Sequence, residues 1–235
     1  MNKMLLFGLV AIALFSSCSP STDELINKGK SLLDDQDYQR AIEYFDRAIE
    51  KDAARAEAYN GRGVANFELQ KFEEAISDYS KSIAIDSTSY TSYYNRGNAK
   101  RAQKKPWEAL ADYSRAIVIR PNINDIYINR GTIYYDLQDI MSAKKDFEFA
   151  LKLDDQDKNA YYNYAKILFS MDSTEKAKNS FVHALNIDPE FAPAIYWLGR
   201  TEMELDNLEG ACMYFKQSEK LGYAEARATI NQYCN

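Results

Sequence analysis

The side chains that most often take part in catalysis are sparse in this sequence. There is one histidine, His183, and there are three cysteines, Cys18, Cys212 and Cys234, in 235 residues. No group of histidine, cysteine and carboxylate residues has the spacing of a metal site, so the sequence predicts no bound metal. His183 lies in a helical pattern without a nucleophile beside it, which favours a solvated or partly packed residue over a general base.

The remaining candidates for chemistry are neighbouring acids and glycines. Pairs such as Glu73-Glu74 and Asp154-Asp155 are adjacent in sequence. Adjacent residues of a helix do not share a face, so these pairs are expected to be solvated surface and not a catalytic dyad. The glycines occur singly inside helical patterns and form no phosphate-binding loop. The sequence therefore predicts a protein that is not an enzyme and needs no cofactor.

Composition and charge narrow the class of partner. The chain is 46% hydrophobic and 13% aromatic, which is enough to bury a substantial core. It carries 29 basic and 35 acidic residues, for a formal net charge of -6. Nucleic-acid binding needs a concentrated positive face, and no long basic block occurs in the sequence. Nucleic acid is therefore not an expected partner.

Residues 1–17 differ in character from the rest of the chain. Lys3 supplies a positive charge, residues 4–15 form an apolar run, and two serines and Cys18 follow. The run is shorter than the roughly 20 residues of a membrane-spanning helix, and the order is typical of a signal peptide. The segment resembles a bacterial lipoprotein signal. This resemblance implies cleavage before Cys18 and lipidation of Cys18, with residues 18–21 as a short tether.

A lipid on Cys18 would anchor the protein to a membrane of the bacterial cell envelope, facing the periplasm or exposed at the surface. The alternative is an ordinary secretory signal in which Cys18 has no special role.

Two short motifs recur with a common step of 34 residues. The first is an alanine followed four residues later by Phe or Tyr, and it begins at Ala41, Ala75, Ala109, Ala143, Ala177 and Ala211. The second is a small residue in the preceding segment, at Gly29, Gly63, Gly97, Gly131, Ala165 and Gly199. Two independent motifs with one period predict tandem structural repeats.

The motifs have the spacing of helices packed face to face. Within one copy, Ala41, Phe45 and Ala48 lie on one face of a helix. The small residue belongs to the preceding helix, where a larger side chain would hold the two helices apart. Ser82 and Ser218 replace the last alanine in two copies and are expected to fill the same small space. Each copy is therefore a helical hairpin, and the hairpins must stack to bury their apolar faces.

The third copy has Tyr93, Gly97, Ala109, Tyr113, Ala116 and Pro121. This pattern resembles the tetratricopeptide repeat (TPR) family, and the resemblance covers nearly all of the chain after residue 21. It implies an all-α, right-handed α-solenoid of six tandem helical hairpins. The copies are expected at residues 22–55, 56–89, 90–123, 124–157, 158–191 and 192–225. Residues 226–235 are expected to form a capping helix that covers the last copy.

The resemblance also implies where a partner binds, because in TPR arrays the first helices line a concave groove that holds peptides or helices. The residues that map to this groove are Asn60, Val64, Tyr94, Asn95, Asn98, Ile128, Asn129, Thr132, Tyr162, Asn163, Lys166, Tyr196 and Arg200. Asparagine can both donate and accept hydrogen bonds, and tyrosine offers a large amphipathic surface. Tyr93, Tyr127 and Tyr161, in contrast, are expected to pack between copies.

Some members of the family hold a terminal carboxylate with a set of Lys, Asn, Asn, Lys and Arg. Here Asn98 and Asn129 match the two asparagines, but Tyr94, Asn159 and Asn163 occupy the charged positions. That clamp is therefore not expected. The sequence favours a scaffold that binds a protein or peptide partner. An accessory protein that binds a carbohydrate or another small ligand is the alternative, because aromatic rings can stack on sugars.

Cys212 and Cys234 remain as two thiols after lipidation of Cys18. An exported protein meets an oxidising environment in which paired thiols are usually joined. Cys212 lies on the second helix of the sixth copy, and Cys234 lies near the end of the helix expected to pack on that copy. We therefore predict a disulfide between them. The alternative is two free cysteines that serve as small apolar residues.

Overall fold

The computed structural model describes residues 19–234, so the predicted signal peptide and Cys18 lie outside the described residues. The described residues form thirteen α-helices and no strand. None of these helices is both long enough and apolar enough to span a membrane. The predicted all-α solenoid of six hairpins and one further helix is confirmed.

The helices form six successive pairs. The first three pairs are α1 (Thr22–Asp34) and α2 (Tyr38–Lys51), α3 (Ala56–Glu68) and α4 (Phe72–Ile85), and α5 (Tyr90–Ala102) and α6 (Pro106–Ile119). The next three are α7 (Asn124–Asp136) and α8 (Ile140–Leu153), α9 (Lys158–Ser170) and α10 (Thr174–Ile187), and α11 (Ala192–Glu204) and α12 (Leu208–Lys220). The last helix is α13 (Ala224–Tyr233).

The turn inside each hairpin contains one residue in the left-handed region. These residues have φ between 54° and 63° and are Gln36, Gln70, Lys104, Gln138, Asp172 and Asp206. The left-handed residue lets the chain close back on the end of the first helix, as when the amide of Gln36 donates to the carbonyl of Leu33 at 3.0 Å. Pro106 begins α6 at a position where its missing N–H costs little.

The small residues of the first helices lie against the aromatic residues of the second helices. A Cβ atom added at Gly97 would lie 2.8 Å from Cε1 of Tyr113, closer than real side chains approach. In the fifth hairpin, Ala165 is fully buried in the same cluster as Phe181. The same close approach occurs for the pairs Gly29–Phe45, Gly63–Tyr79, Gly131–Phe147 and Gly199–Phe215. The small residue of each hairpin is therefore set by helix packing.

The serines that replace packing alanines also form hydrogen bonds. The hydroxyl oxygen of Ser82 on α4 lies 2.9 Å from that of Ser92 on α5, and both residues are buried. The hydroxyl of Ser218 on α12 donates to the carbonyl of Ala192 at 2.8 Å. Small size was expected at these positions, and the structure adds that each serine links its helix to a neighbouring helix.

A row of ion pairs with nearly buried carboxylates joins first and second helices in hairpins two to four. Nε and Nη2 of Arg96 donate to the carboxylate of Asp112 at 2.9 and 2.7 Å. Nη1 of Arg96 donates to the hydroxyl of Ser80 in the preceding hairpin at 3.0 Å. Each arginine therefore ties three helices together. The same arrangement joins Arg62 to Asp78 and Asp46, and Arg130 to Asp146 and Ser114.

The three tyrosines expected between copies do pack there. Tyr127 is 6% exposed, and Tyr93 and Tyr161 are half-buried against hydrophobic clusters. His183 is exposed, and its ring stacks on that of Tyr161 with 5.1 Å between centroids. These placements agree with packing roles for the tyrosines and with a solvated or partly packed histidine.

The last helix covers the end of the stack. α13 begins at Ala224, where residue 226 was expected, and its Ala226 is fully buried in a cluster with Tyr196 and Phe215. A disulfide joins Cys212 on α12 to Cys234 directly after α13, with 5.6 Å between the Cα atoms. The predicted disulfide is confirmed.

Loss of this disulfide is expected to loosen the last helix. Replacing both Cys212 and Cys234 with serine should lower stability by about 3 kcal/mol, because the bond closes a loop with a sequence separation of 22 residues. Hydrogen exchange should show early loss of protection in α13. Reductant should have the same effect on the wild type and none on the double variant. Equal protection of α13 in oxidised and reduced wild-type protein would contradict this prediction.

Candidate functional site

The first helices form the inner surface of the stack. The first helices of successive hairpins contact each other, as α1 does with α3, α3 with α5, α7 with α9, and α9 with α11. Contacts of comparable extent between successive second helices do not occur among residues 19–234. A stack whose first helices lie closer together than its second helices curves toward the first helices. We call this inner surface, formed by α1, α3, α5, α7, α9 and α11, the groove.

The predicted groove residues lie on these helices. All but one are half-buried, so part of each side chain is open to a partner: Asn60, Val64, Tyr94, Asn95, Asn98, Ile128, Asn129, Thr132, Tyr162, Asn163, Lys166 and Arg200.

Tyr196 departs from the prediction. It is 7% exposed, and its ring packs against Phe215 and Tyr223 with centroids 5.4 and 5.0 Å away. Its hydroxyl oxygen lies 3.0 Å from that of Thr229 on α13. Because α13 and the turn before it cover this side chain, Tyr196 belongs to the core at the end of the stack and not to the groove surface.

Polar side chains link neighbouring first helices in the middle of the groove. The amide nitrogen of Asn95 donates to the amide oxygen of Asn60 at 3.3 Å. One period later, the amide nitrogen of Asn129 donates to the hydroxyl of Tyr94 at 2.9 Å. Because these side chains are hydrogen-bonded to each other, they are less available to a partner.

The two asparagines at the positions of the family's carboxylate clamp are also engaged. The hydroxyl of Tyr113 donates to the amide oxygen of Asn98 at 2.6 Å. Arg101 donates to the amide oxygen of Asn129 at 3.0 Å. Both amide oxygens therefore accept from the chain itself and are less available to a ligand.

The row of polar links is interrupted at the fifth hairpin. Asn163 occupies the position of Asn95 and Asn129, but the position that corresponds to Asn60 and Tyr94 is Ile128, which has no polar side-chain atom. The side chain of Asn163 has no hydrogen-bond partner among the described residues. Its amide is therefore available to a ligand.

Two cations lie at the α9 and α11 end of the groove. The ammonium of Lys166 lies 4.7 Å from the ring centroid of Tyr135, 5.4 Å from that of Trp197 and 5.6 Å from that of Tyr162. Burial among these rings lowers the pKa of the Lys166 ammonium, and the negative charge of Asp136 opposes this shift. Cation–π attraction accounts for the position of the ammonium.

Arg200 contacts the same tryptophan as Lys166. Its Cζ is 5.7 Å from the ring centroid of Trp197. Its Nε is buried and has no hydrogen-bond partner in residues 19–234. Neither Arg200 nor Lys166 forms an ion pair with any described residue. Nε of Arg200 is closed off from the groove, so a ligand can reach only the terminal nitrogens of this guanidinium, which also have no partner among the described residues.

Sequence reasoning missed Trp197 and Tyr135 at this end of the groove. Trp197 occupies the position that Asn163 and Asn129 have in earlier hairpins, so the change from Asn to Trp was the signal available in the sequence. Trp197 contacts both cations, and Tyr135 lies closest to the ammonium of Lys166.

The opposite end of the groove contains a cavity of about 290 Å³ between the first three hairpins. Its lining includes the predicted groove residues Asn60 and Val64, together with Lys30, Gly61 and Ser92. Gly61 occupies the position of Asn95, and a Cβ atom there would overlap the ring of Phe45, so close packing against the first hairpin keeps this position a glycine. The lining is mixed in polarity, which suits a peptide backbone with a small side chain.

No three His, Cys, Asp or Glu side chains between residues 19 and 234 are arranged to hold a metal ion.

Family models of the tetratricopeptide repeat match residues 26–90, 90–123, 125–157 and 159–191, which together make up more than half of the chain. The chain belongs to the tetratricopeptide repeat family, whose folds serve as scaffolds for protein interactions. A search among curated proteins found no match.

Solved structures share the fold at low sequence identity. The structure from the functional characterisation of Pseudomonas aeruginosa PilF has a TM-score of 0.80 and 20% identity, and the match covers 90% of this chain and 97% of that one. YrrB, described as a TPR protein with an unusual peptide-binding site, has a TM-score of 0.66 and 22% identity, covering 80% and 97% of the two chains. A tetratricopeptide repeat protein from Parabacteroides merdae has a TM-score of 0.64 and 19% identity, covering 91% and 99%.

Proposed function

We propose that this protein is a non-enzymatic, lipid-anchored scaffold of the bacterial cell envelope that holds an extended segment of a partner protein in its groove. The binding part rests on groove donors without a hydrogen-bond or ion-pair partner among the described residues, namely the amide of Asn163, the ammonium of Lys166 and the terminal guanidinium nitrogens of Arg200. An extended peptide presents carbonyl oxygens along its length that can accept from such donors. Membership of the TPR family supports a role in protein interaction.

A peptide fits the groove better than a carbohydrate does. Sugars stack on open ring faces, but the ring of Tyr94 lies against that of Tyr113, with centroids 5.9 Å apart. The ring of Tyr162 packs against Phe181 and Phe191, and Lys166 lies over the same ring. The groove rings are thus largely covered by the protein's own side chains, while hydrogen-bond donors remain free. YrrB, which shares the fold, supports a peptide as the ligand only by analogy.

A single substitution tests whether the groove binds the partner. Replacing Asn163 with alanine should weaken capture of the partner by about 1 kcal/mol, because one hydrogen bond to the ligand is lost. The partner would be recovered from envelope extracts with tagged mature protein and quantified against wild type. Asn179→Ala, an exposed asparagine on α10, is the matched control. A defined protein recovered equally by wild type, Asn163→Ala and Asn179→Ala would count against the groove.

The proposal of a lipid anchor is based on the sequence around Cys18. Cys18→Ala should abolish acylation and move the protein from the detergent phase to the aqueous phase, because the acylated side chain is absent. Incorporation of labelled fatty acid and phase partitioning measure this directly. Ser17→Ala keeps a small residue before the cysteine and should behave as wild type. Unchanged processing and unchanged partitioning of Cys18→Ala would together overturn the lipid anchor and leave the proposal for the groove unaffected.

A further inference from the structure

We propose that Lys166 and Arg200 form a binding site for a carboxylate of the partner peptide, supplied either by an acidic side chain or by the chain terminus. This inference rests on the proposed function of the groove and names the chemistry of its ligand. Lys166 lies on α9 and Arg200 on α11, at the same position of successive hairpins. Two neighbouring first helices therefore each present one cation at the same depth of the groove.

The two cations stand out because acids are abundant in this protein. The chain has 35 acidic and 29 basic residues, so a cation does not lack potential partners. The other half-buried cations on first helices are paired, as Arg96 is with Asp112 and Lys100 also with Asp112 at 2.9 Å. The other unpaired cations of these helices, Lys28, Lys30 and Arg101, are exposed. Lys166 and Arg200 have no such partner among the described residues, and Asp136 acts on Lys166 only from beyond ion-pair distance.

Glu204, one helical turn after Arg200 on α11, is exposed and forms no ion pair with it. The other acid of this helix is already occupied. Glu202 accepts from Lys178 at 2.8 Å and from the amide of Asn207 at 2.8 Å. It is 5% exposed and held in that arrangement, so it does not neutralise Arg200. The positive charge of the two groove cations is therefore left for a group from outside the chain.

The environment strengthens attraction for an anion. Both cations contact the ring of Trp197, at 5.4 Å for the Lys166 ammonium and 5.7 Å for Cζ of Arg200. Aromatic surroundings exclude water, and charges attract each other more strongly where water is excluded. A guanidinium also matches a carboxylate in geometry, since its two terminal nitrogens can bind both oxygens, and those of Arg200 have no acceptor among the described residues. The free amide of Asn163, one helical turn from Lys166, adds a neutral donor.

The site differs from the carboxylate clamp of other family members. Lys166 and Arg200 lie two and three hairpins after Asn98 at the same repeat position, and they are cations where the clamp has an asparagine. The clamp positions matched in this chain hold Tyr94, Asn98, Asn129, Asn159 and Asn163. The amide oxygens of Asn98 and Asn129 are used within the chain. A carboxylate would therefore be held two hairpins further along the groove, beside Trp197.

The experiment compares three pools of fluorescent nine-residue peptides on the mature full-length chain in detergent. The first pool has a central Asp-Glu-Asp and an amidated end, the second a central Asn-Gln-Asn and an amidated end, and the third a central Asn-Gln-Asn and a free terminal carboxylate. Flanking positions are randomised without acids. Fluorescence anisotropy at low salt measures the affinity of each pool.

The wild type should bind at least one carboxylate pool about tenfold more tightly than the neutral pool. Preference for the first pool indicates an acidic side chain, and preference for the third indicates a chain terminus. The double variant Lys166→Gln and Arg200→Gln should lose the preference, whereas the charge-preserving variant Lys166→Arg and Arg200→Lys should keep most of it. Lys104→Gln with Lys145→Gln removes the same charge from exposed positions outside the groove and should behave as wild type.

The inference is overturned if the wild type binds all three pools equally, if it binds none, or if the Lys166→Gln and Arg200→Gln variant keeps the preference. Equal binding of all pools that is weakened by Asn163→Ala would leave the proposed peptide groove standing while removing its carboxylate site. Circular dichroism of each variant confirms that a lost preference is not a loss of helicity.

Discussion

Replacement of Gly97 by leucine is expected to destabilise the protein by about 3 kcal/mol or more. Even a Cβ at this position would lie 2.8 Å from Cε1 of Tyr113. The ring cannot turn aside easily, because Tyr113 is fully buried and its hydroxyl is bound to Asn98 at 2.6 Å. The α5–α6 hairpin would have to open to admit the larger side chain.

Urea unfolding followed by circular dichroism measures this effect. Ala102→Leu, at an exposed position at the end of the same helix, is the matched control and should change stability by no more than about 0.5 kcal/mol. Gly97→Ala should fall between the two, since alanine adds one carbon. If Gly97→Leu unfolds at the same urea concentration as Ala102→Leu, the close helix contact is not what fixes glycine at this position.

Removal of one carboxylate from the row of ion pairs should lower the free energy of unfolding by an amount comparable to that of Gly97→Leu. Asp112→Ala is expected to cost about 3–5 kcal/mol, because it leaves a largely buried guanidinium on Arg96 without its counter-charge. Asp112 is 4% exposed and is also the ion-pair partner of Lys100 at 2.9 Å. The loss should be visible as a lower unfolding midpoint with early opening of the third hairpin.

Two further variants distinguish the contribution of a buried ion pair to stability from that of an exposed one. Glu219→Ala breaks the exposed pair with Arg227 and should cost no more than about 1 kcal/mol. The double variant Arg96→Met with Asp112→Leu should recover part of the loss, because it removes the charges of Arg96 and Asp112 together. Lys100 then keeps Glu108 as its ion-pair partner, at 3.7 Å. An Asp112→Ala variant as stable as Glu219→Ala would show that the ion pair contributes little.

The hairpin architecture was predictable because helix packing restricts particular positions in every copy. Gly97 and Ala109 must be small and Tyr113 must fill the space between them, so the same residue types recur at the same step. The ion pair of Arg96 and Asp112 also recurs at the 34-residue step in the neighbouring hairpins. It was not recognised because charged residues on helices usually face solvent, and their burial depends on how hairpins stack.

The candidate site was predictable only in part. A repeat pattern treats every copy alike, so it assigned Tyr196 to the groove although the helix after the last copy covers it. The repeat pattern also gave no indication that the amide of Asn129 is hydrogen-bonded to Tyr94 while that of Asn163 has no partner among the described residues. That difference depends on which residue faces each asparagine from the preceding hairpin, and here Ile128 has no acceptor to offer.

Site-specific photo-crosslinking from the two surfaces of the stack tests the central claim most directly. A photoreactive phenylalanine analogue would replace Thr132 or Asn163 in the groove, and Val118 or Val182, which are 71% and 39% exposed on second helices, in cells that produce the protein. A groove that binds a partner segment predicts a discrete adduct with one protein from both groove positions and none from Val118 or Val182. Adducts formed from the second helices alone, or equally from both surfaces, would contradict it.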